Sequence, residues 1–121
     1  MNLLDNFELR YMEREIIFYR DYFLGFYNGL DEKVQEKIEY VFDLIRYENQ
    51  IPSTFLKHLE GTDKLYEIRI RYSGNIYRVF CFFDAGKLVV LLNGFHKKTQ
   101  KTPRKEIKFA EKLKNEYYGK K

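Results

Sequence analysis

The chain has 121 residues, of which 45% are hydrophobic, 18% aromatic and 33% charged, a balance that suits one folded domain and excludes disorder along its whole length. One cysteine excludes an internal disulfide framework and, with only two histidines, an ordinary four-ligand Cys/His zinc site. The formal charge of +4 hides a division: residues 1–63 hold 7 basic and 13 acidic side chains, while residues 64–121 hold 15 and 5, so the second half is expected to seek a polyanion or an acidic partner.

The longest apolar runs, Val79–Phe83 and Leu88–Leu92, have five residues each, against the roughly 20 of a membrane-spanning helix. The N-terminal stretch (residues 1–15) carries acids where a signal peptide needs an apolar segment. These features set the expectation of a soluble cytoplasmic protein that has no membrane partner.

Residues 14–19 (REIIFY) read as a short strand. Asp21 is placed to cap a short helix running through Phe26 and closed by Asn28-Gly29. Asp31 begins a longer helix to about Glu48, on which Val34, Ile38, Val41, Leu44 and Ile45 form one apolar stripe. Residues 49–63 form a connection around Pro52 and Gly61. From Leu65 the period changes to two, with Tyr66, Ile68, Ile70 and Tyr72 on one face and Leu65, Glu67, Arg69 and Arg71 on the other. Ser73-Gly74-Asn75 turns the chain into a strand over 76–83, and Asp84-Ala85-Gly86 turns it again into 87–93. Thr102-Pro103 starts a last helix with Pro at its first position, reaching about Tyr118 and directing Ile107, Ala110, Leu113 and Tyr117 towards the sheet. The predicted fold is α+β, in the order β-α-α-β-β-β-α, a single domain over 1–121 with an antiparallel meander and helices packed on it.

Nucleotide-binding loops, the nucleophile elbow and the HExxH zinc motif are missing, and no carboxylate pair is spaced for a metal cage. No metal or cofactor is therefore expected. Cys81 sits inside an apolar strand and reads as a small buried hydrophobe. What remains is a set of cations. Arg69 and Arg71 share a strand face, Arg78 lies on the next strand, and Lys97-Lys98 follow the third. In a meander the end of the third strand returns near the start of the second, so these groups can converge on a phosphodiester and stabilise a more negative pentavalent transition state. The facing of Arg78 relative to Arg69 depends on the pairing register. His96, at a strand end beside two lysines, and Glu67, alternating with Arg69, are candidate proton-handling groups. An exposed sheet face held by salt bridges is the competing account of the same arginines, and an ion pair with Arg69 or Arg71 is that of Glu67.

The segments LYEIRI (65–70), YRVF (77–80) and LLNGFHKKTQKTP (91–103) together resemble the HigB-like, phage Gp49-like branch of the RelE/ParE toxin superfamily. The likeness spans roughly residues 14–118 and is strongest over 65–103. It implies a compact ribonuclease-like sheet with helices on one side, and the toxin of a type II toxin–antitoxin pair that cuts mRNA in the ribosomal decoding site by attack of a 2′-OH. The partners it implies are that mRNA and a cognate helix-turn-helix antitoxin. Matching positions make Arg69, Arg78, Lys97 and Lys98 catalytic or RNA-contacting candidates, with Arg71 beside them; Arg69, Arg78, Lys98, Glu67 and His96 are taken as catalytic, and Arg71, Lys97 and Lys101 as RNA-binding. The position of Glu67 is often basic in the RelE branch. Two other functions remain open on the sequence: a gyrase-inhibiting, ParE-like toxin and a nucleic-acid-binding domain that cuts nothing.

Overall fold

The computed structural model describes residues 13–120, so most of the acidic N-terminal stretch lies outside the described residues. Its elements are β1 (Glu15–Phe18), α1 (Tyr22–Asn28), α2 (Glu32–Tyr47), β2 (Leu56–His58), β3 (Tyr66–Tyr72), β4 (Asn75–Asp84), β5 (Leu88–Lys97) and α3 (Arg104–Gly119). The five strands form one sheet in the order β1-β5-β4-β3-β2. β1 runs parallel to β5, and every other neighbouring pair is antiparallel. The fold is thus α+β with the expected order of elements and the expected β3–β4–β5 meander, plus one strand more. That strand, β2, has three residues at a sheet edge, too few to show a period of two.

Strand alternation divides the apolar side chains into two cores, one on each face of the sheet. Ile68, Ile70, Val79, Cys81, Val89 and Leu91 join the α1 and α2 residues Phe23, Val34, Ile38, Val41, Phe42 and Ile45. Their strand neighbours Phe80, Phe82, Val90 and Leu92 pack on Ala110 and Leu113 of α3. Helices therefore cover both faces, which corrects the one-sided arrangement expected from family resemblance. Two cores need two covers. Phe42, off the predicted stripe, is buried in α2, whereas Leu44 is only half-buried.

Several local expectations shift in detail. Asp21 and Asp31 occupy N-cap positions, yet neither side chain makes a capping hydrogen bond. Pro103 is itself the N-cap of α3 and the helix begins at Arg104. The β3–β4 hairpin closes on Ser73 and Gly74 alone, since Tyr72 pairs with Asn75 and both turn residues have positive φ (50° and 81°). β5 continues beyond Asn93 to Lys97, past a glycine that reads as a strand stop. Gly94 is there because Phe26 fills the space its side chain would take: a Cβ would lie 2.5 Å from Phe26 Cδ2. Among the described residues no helix is long and apolar enough to cross a membrane.

Candidate functional site

α3 packs on β4 and β5 and covers only part of its face of the sheet. The remainder of that face carries the cations. In the β3–β4 register Arg69 lies directly opposite Arg78, which settles the facing of Arg78: it projects to the same side as Arg69 and Arg71. Like charges opposite one another on neighbouring strands repel, and Glu67 offsets this. Its Oε1 accepts a hydrogen bond from Arg69 Nε at 3.0 Å and lies 3.5 Å from Arg78 Nε. Glu67 is only 3% exposed and Arg78 6%, so the carboxylate is a counter-ion inside the protein. Arg78 Nη1 donates to the carbonyl of Tyr77 at 3.2 Å, while its Nε has no hydrogen-bond acceptor among the described residues. Burial lowers the Arg78 pKa, Arg69 and Arg71 lower it further, and Glu67 opposes them.

Lys97 reaches this face through an irregularity. β4 and β5 pair in step from Asp84–Leu88 to Cys81–Leu91, then resume at Val79–Gly94, so Leu92 and Asn93 together oppose Phe80. One extra residue in β5 is a β-bulge. It reverses the facing of everything after it: Leu92 and Phe95 both lie on the α3 side, although strict alternation would put them on opposite faces. Asn93 is tied to the first turn of α3, its Nδ2 donating to the Glu106 carbonyl at 3.3 Å and to Glu106 Oε2 at 3.1 Å. As a result Lys97, opposite Ile76, faces the same way as Arg78. Burial lowers its pKa, and Arg78 and Arg69 add to the effect against the opposing pull of Glu67.

The loop after β5 folds back on the cluster. Lys97 Nζ donates to the Gln100 carbonyl at 2.7 Å, Thr99 Oγ1 to the Lys101 carbonyl at 2.7 Å, and Thr102 Oγ1 to Glu67 Oε2 at 3.3 Å. The TQKTP segment is thus tied at one end to Lys97 and at the other, through Thr102, to Glu67 of β3. Thr102, read from sequence only as a helix start, also completes the hydrogen bonding of Glu67. A cavity of about 720 Å³ opens here, with Arg71, Arg78, Lys97, Lys98 and Gln100 in its wall. Lys98 is exposed; Lys101 is exposed too but lies outside this lining. Arg69 lines an adjoining cavity that shares Arg71 and Arg78. His96 also lines this cavity, although the strand register turns its side chain away from the arginines. It lies opposite Tyr77, on the α1 side of the sheet, and its ring stacks on that tyrosine at 4.7 Å.

The structure therefore gathers Glu67, Arg69, Arg71, Arg78 and Lys97 on one face, with Lys98 at the rim. A preformed, water-accessible cradle of guanidinium and ammonium groups can hold a phosphodiester and oppose the charge that builds as its phosphorus becomes five-coordinate. The family model described as "Phage derived protein Gp49-like (DUF891)" matches residues 26–115, spanning α2, the meander and most of α3. No curated protein matches the chain.

Proposed function

The chain belongs to the phage Gp49-like family, within the RelE/HigB-like toxin group, and from that premise we propose that it is the toxin of a type II toxin–antitoxin pair and cuts mRNA on the ribosome. The observation that carries this reading is the meeting of Arg69, Arg71, Arg78 and Lys97 over a buried Glu67.

In the proposed reaction the ribose 2′-oxygen attacks the adjacent phosphorus in line. Its proton leaves to a base, the bond to the 5′-oxygen breaks, and that oxygen is protonated. The products are a 2′,3′-cyclic phosphate and a 5′-hydroxyl. Arg78 and Arg71 hold the non-bridging oxygens, and Arg69 adds its charge from the adjoining wall. Both oxygens of Glu67 are engaged, by Arg69 and by Thr102, so its part is to fix the arginines. Lys97, whose pKa is lowered, is the group of the cluster best suited to accept the 2′-OH proton. Lys98 is the neighbouring candidate donor to the leaving oxygen. The ribosome supplies a positioned message, so orientation can provide much of the acceleration. A helix-turn-helix antitoxin presenting acidic side chains would match the basic half of the chain and block its approach to the ribosome.

The test is a purified translating system with 5′ ends of the message mapped. Wild-type protein should generate cuts within the translated frame, and folded Arg78→Ala should reduce them by about 100-fold or more, the scale of one transition-state donor. Cutting undiminished in Arg78→Ala would remove this residue from the site. Intact message together with gyrase-linked DNA breaks would instead favour the ParE-like function.

A further inference from the structure

The groove does not end at the phosphate cradle. β2 pairs with β3 only from Tyr66 to Ile68, so beyond that point no other strand among the described residues flanks the outer edge of β3. A second cavity, of about 510 Å³, occupies this edge, sharing Arg71 and Arg78 with the first. Its far wall is Lys37 of α2 and the consecutive residues Ser53, Thr54 and Phe55. The volume lies within the roughly 300–1,000 Å³ of small-molecule sites. The two cavities adjoin at the guanidinium groups of Arg71 and Arg78, which line both.

The chemistry of the two ends differs. Beside the arginines the wall is cationic, whereas the far wall offers an aromatic ring, two exposed hydroxyls and one ammonium. Phe55 is half-buried and fixed by an edge contact with Tyr40 at 6.3 Å. Lys37 Nζ stands 5.2 Å from the Tyr40 ring centre and 6.0 Å from that of Phe55. The segment is held in shape beforehand. Phe55 N and Leu56 N donate to the Pro52 carbonyl at 2.9 and 3.2 Å, and the Phe55 carbonyl accepts from Arg69 N at 2.8 Å. That last bond ties the aromatic wall to an arginine of the cradle. A flat ring next to a phosphate grip, flanked by hydroxyl and ammonium groups, suits a nucleobase: stacking on the ring, with hydrogen bonds to the base edge.

We propose that the cavity walled by Lys37, Ser53, Thr54 and Phe55 is a nucleobase subsite that seats the base beside the scissile phosphate held at Arg71 and Arg78. It rests on the reading that RNA is the substrate, and assigns a binding role to a connection that sequence patterning leaves blank.

The experiment uses full-length protein and ribosomes programmed with short mRNAs whose decoding site is empty. Each mRNA is intact or has one abasic ribonucleotide in turn at each codon position. Single-turnover cutting is measured for wild type, Thr54→Val and Phe55→Leu. Thr54 is exposed, so its variant leaves the fold intact, and thermal unfolding checks Phe55→Leu. At one codon position, base removal should slow the wild-type enzyme by about tenfold, the scale of one base stacked on an aromatic side chain. Phe55→Leu should cut the intact message as slowly, with no further loss on the abasic one. Equal cutting of intact and abasic messages by wild type overturns the subsite and leaves the endonuclease standing. So does a loss in Phe55→Leu that is the same on both messages. Absence of wild-type cutting on every message, with RNA integrity verified, removes the endonuclease reading and the subsite with it.

Discussion

Arg69 and Arg78 face one another across the β3–β4 ladder, and one oxygen of Glu67 lies within 3.0 and 3.5 Å of their Nε atoms. Two guanidiniums in direct opposition are tolerable because the carboxylate between them is buried with one of them. The stability of this part of the sheet and its capacity to hold an anion therefore share one side chain.

Glu67→Gln keeps the shape of the side chain and removes its charge, leaving Arg78 buried without its counter-ion. Removing one partner of a buried ion pair typically costs about 3–5 kcal/mol. Urea unfolding should show a loss near the lower end, since Arg69 retains partial access to water. Combining Glu67→Gln with Arg78→Met should recover part of it, because the stranded charge is then gone. A loss below about 1 kcal/mol in the single variant would mean that Arg78 finds compensation elsewhere.

Lys97 gives a pH dependence with a defined sign. Burial and Arg78 hold its pKa below the ordinary 10.5, so between the two values the unfolded chain binds more protons than the folded one. Stability then gains with rising pH in that window, and the cost of the charged form is fully present below it. If neutral Lys97 accepts the 2′-OH proton, cutting should accelerate with pH and level off below 10.5. Lys97→Arg retains positive charge and should lose that limb while still binding the message. An unchanged pH–rate profile in Lys97→Arg would assign proton transfer to another group.

The bulge in β5 makes a packing prediction. A methyl group on Gly94 would meet the Phe26 ring, with three ring atoms at 2.5–3.0 Å, and that half-buried ring is packed against the core beneath α1 and α2. Gly94→Ala should therefore cost about 1–3 kcal/mol, as overpacking commonly does, measured by urea unfolding. Gly94→Ala/Phe26→Leu should recover part of the loss by opening space. No recovery would locate the cost in the strand backbone.

How much of the site could be read in advance depends on what fixes each side chain's direction. Simple alternation places Arg69 and Arg71 together, because both belong to an unbroken strand. Arg78 needs the pairing register, a property of two strands that neither contains alone. Lys97 needs more: Leu92 and Asn93 opposite a single Phe80 reverse the alternation, and nothing in LLNGFHKK marks which residue is the extra one. The same bulge pairs His96 with Tyr77, on which its ring stacks, while it still borders the cavity of the lysines. β2 escapes for another reason, since three edge residues take their conformation from β3. The helices are legible because an apolar stripe repeats over several turns, although the division into two cores follows only once Val79 and Phe80 are known to face opposite sides.

Arg14 supplies the last prediction, far from the cationic groove. α2 ends beside the start of β1, and Arg14 donates to three backbone carbonyls there: Nη1 to Ile45 O at 2.8 Å and Glu48 O at 2.7 Å, and Nη2 to Asn49 O at 3.1 Å. Arg14 N also donates to Arg46 O at 2.8 Å. The last carbonyls of a helix lack partners within it, and a cation at that end also opposes the helix dipole. A planar guanidinium can reach several carbonyls from one position, whereas an ammonium is a single point. Burial lowers the Arg14 pKa without removing its charge at neutral pH. Arg14→Ala should cost about 1–3 kcal/mol, the scale of hydrogen bonds made by a charged donor, and Arg14→Lys should restore only part of it. Amide exchange should show the loosening first at Ile45–Glu48. Uniform loosening of the whole sheet would mean that Arg14 supports the global fold rather than the α2 terminus. Since β1 follows at Glu15, the docking of β1 beside β5 should weaken along with the helix end.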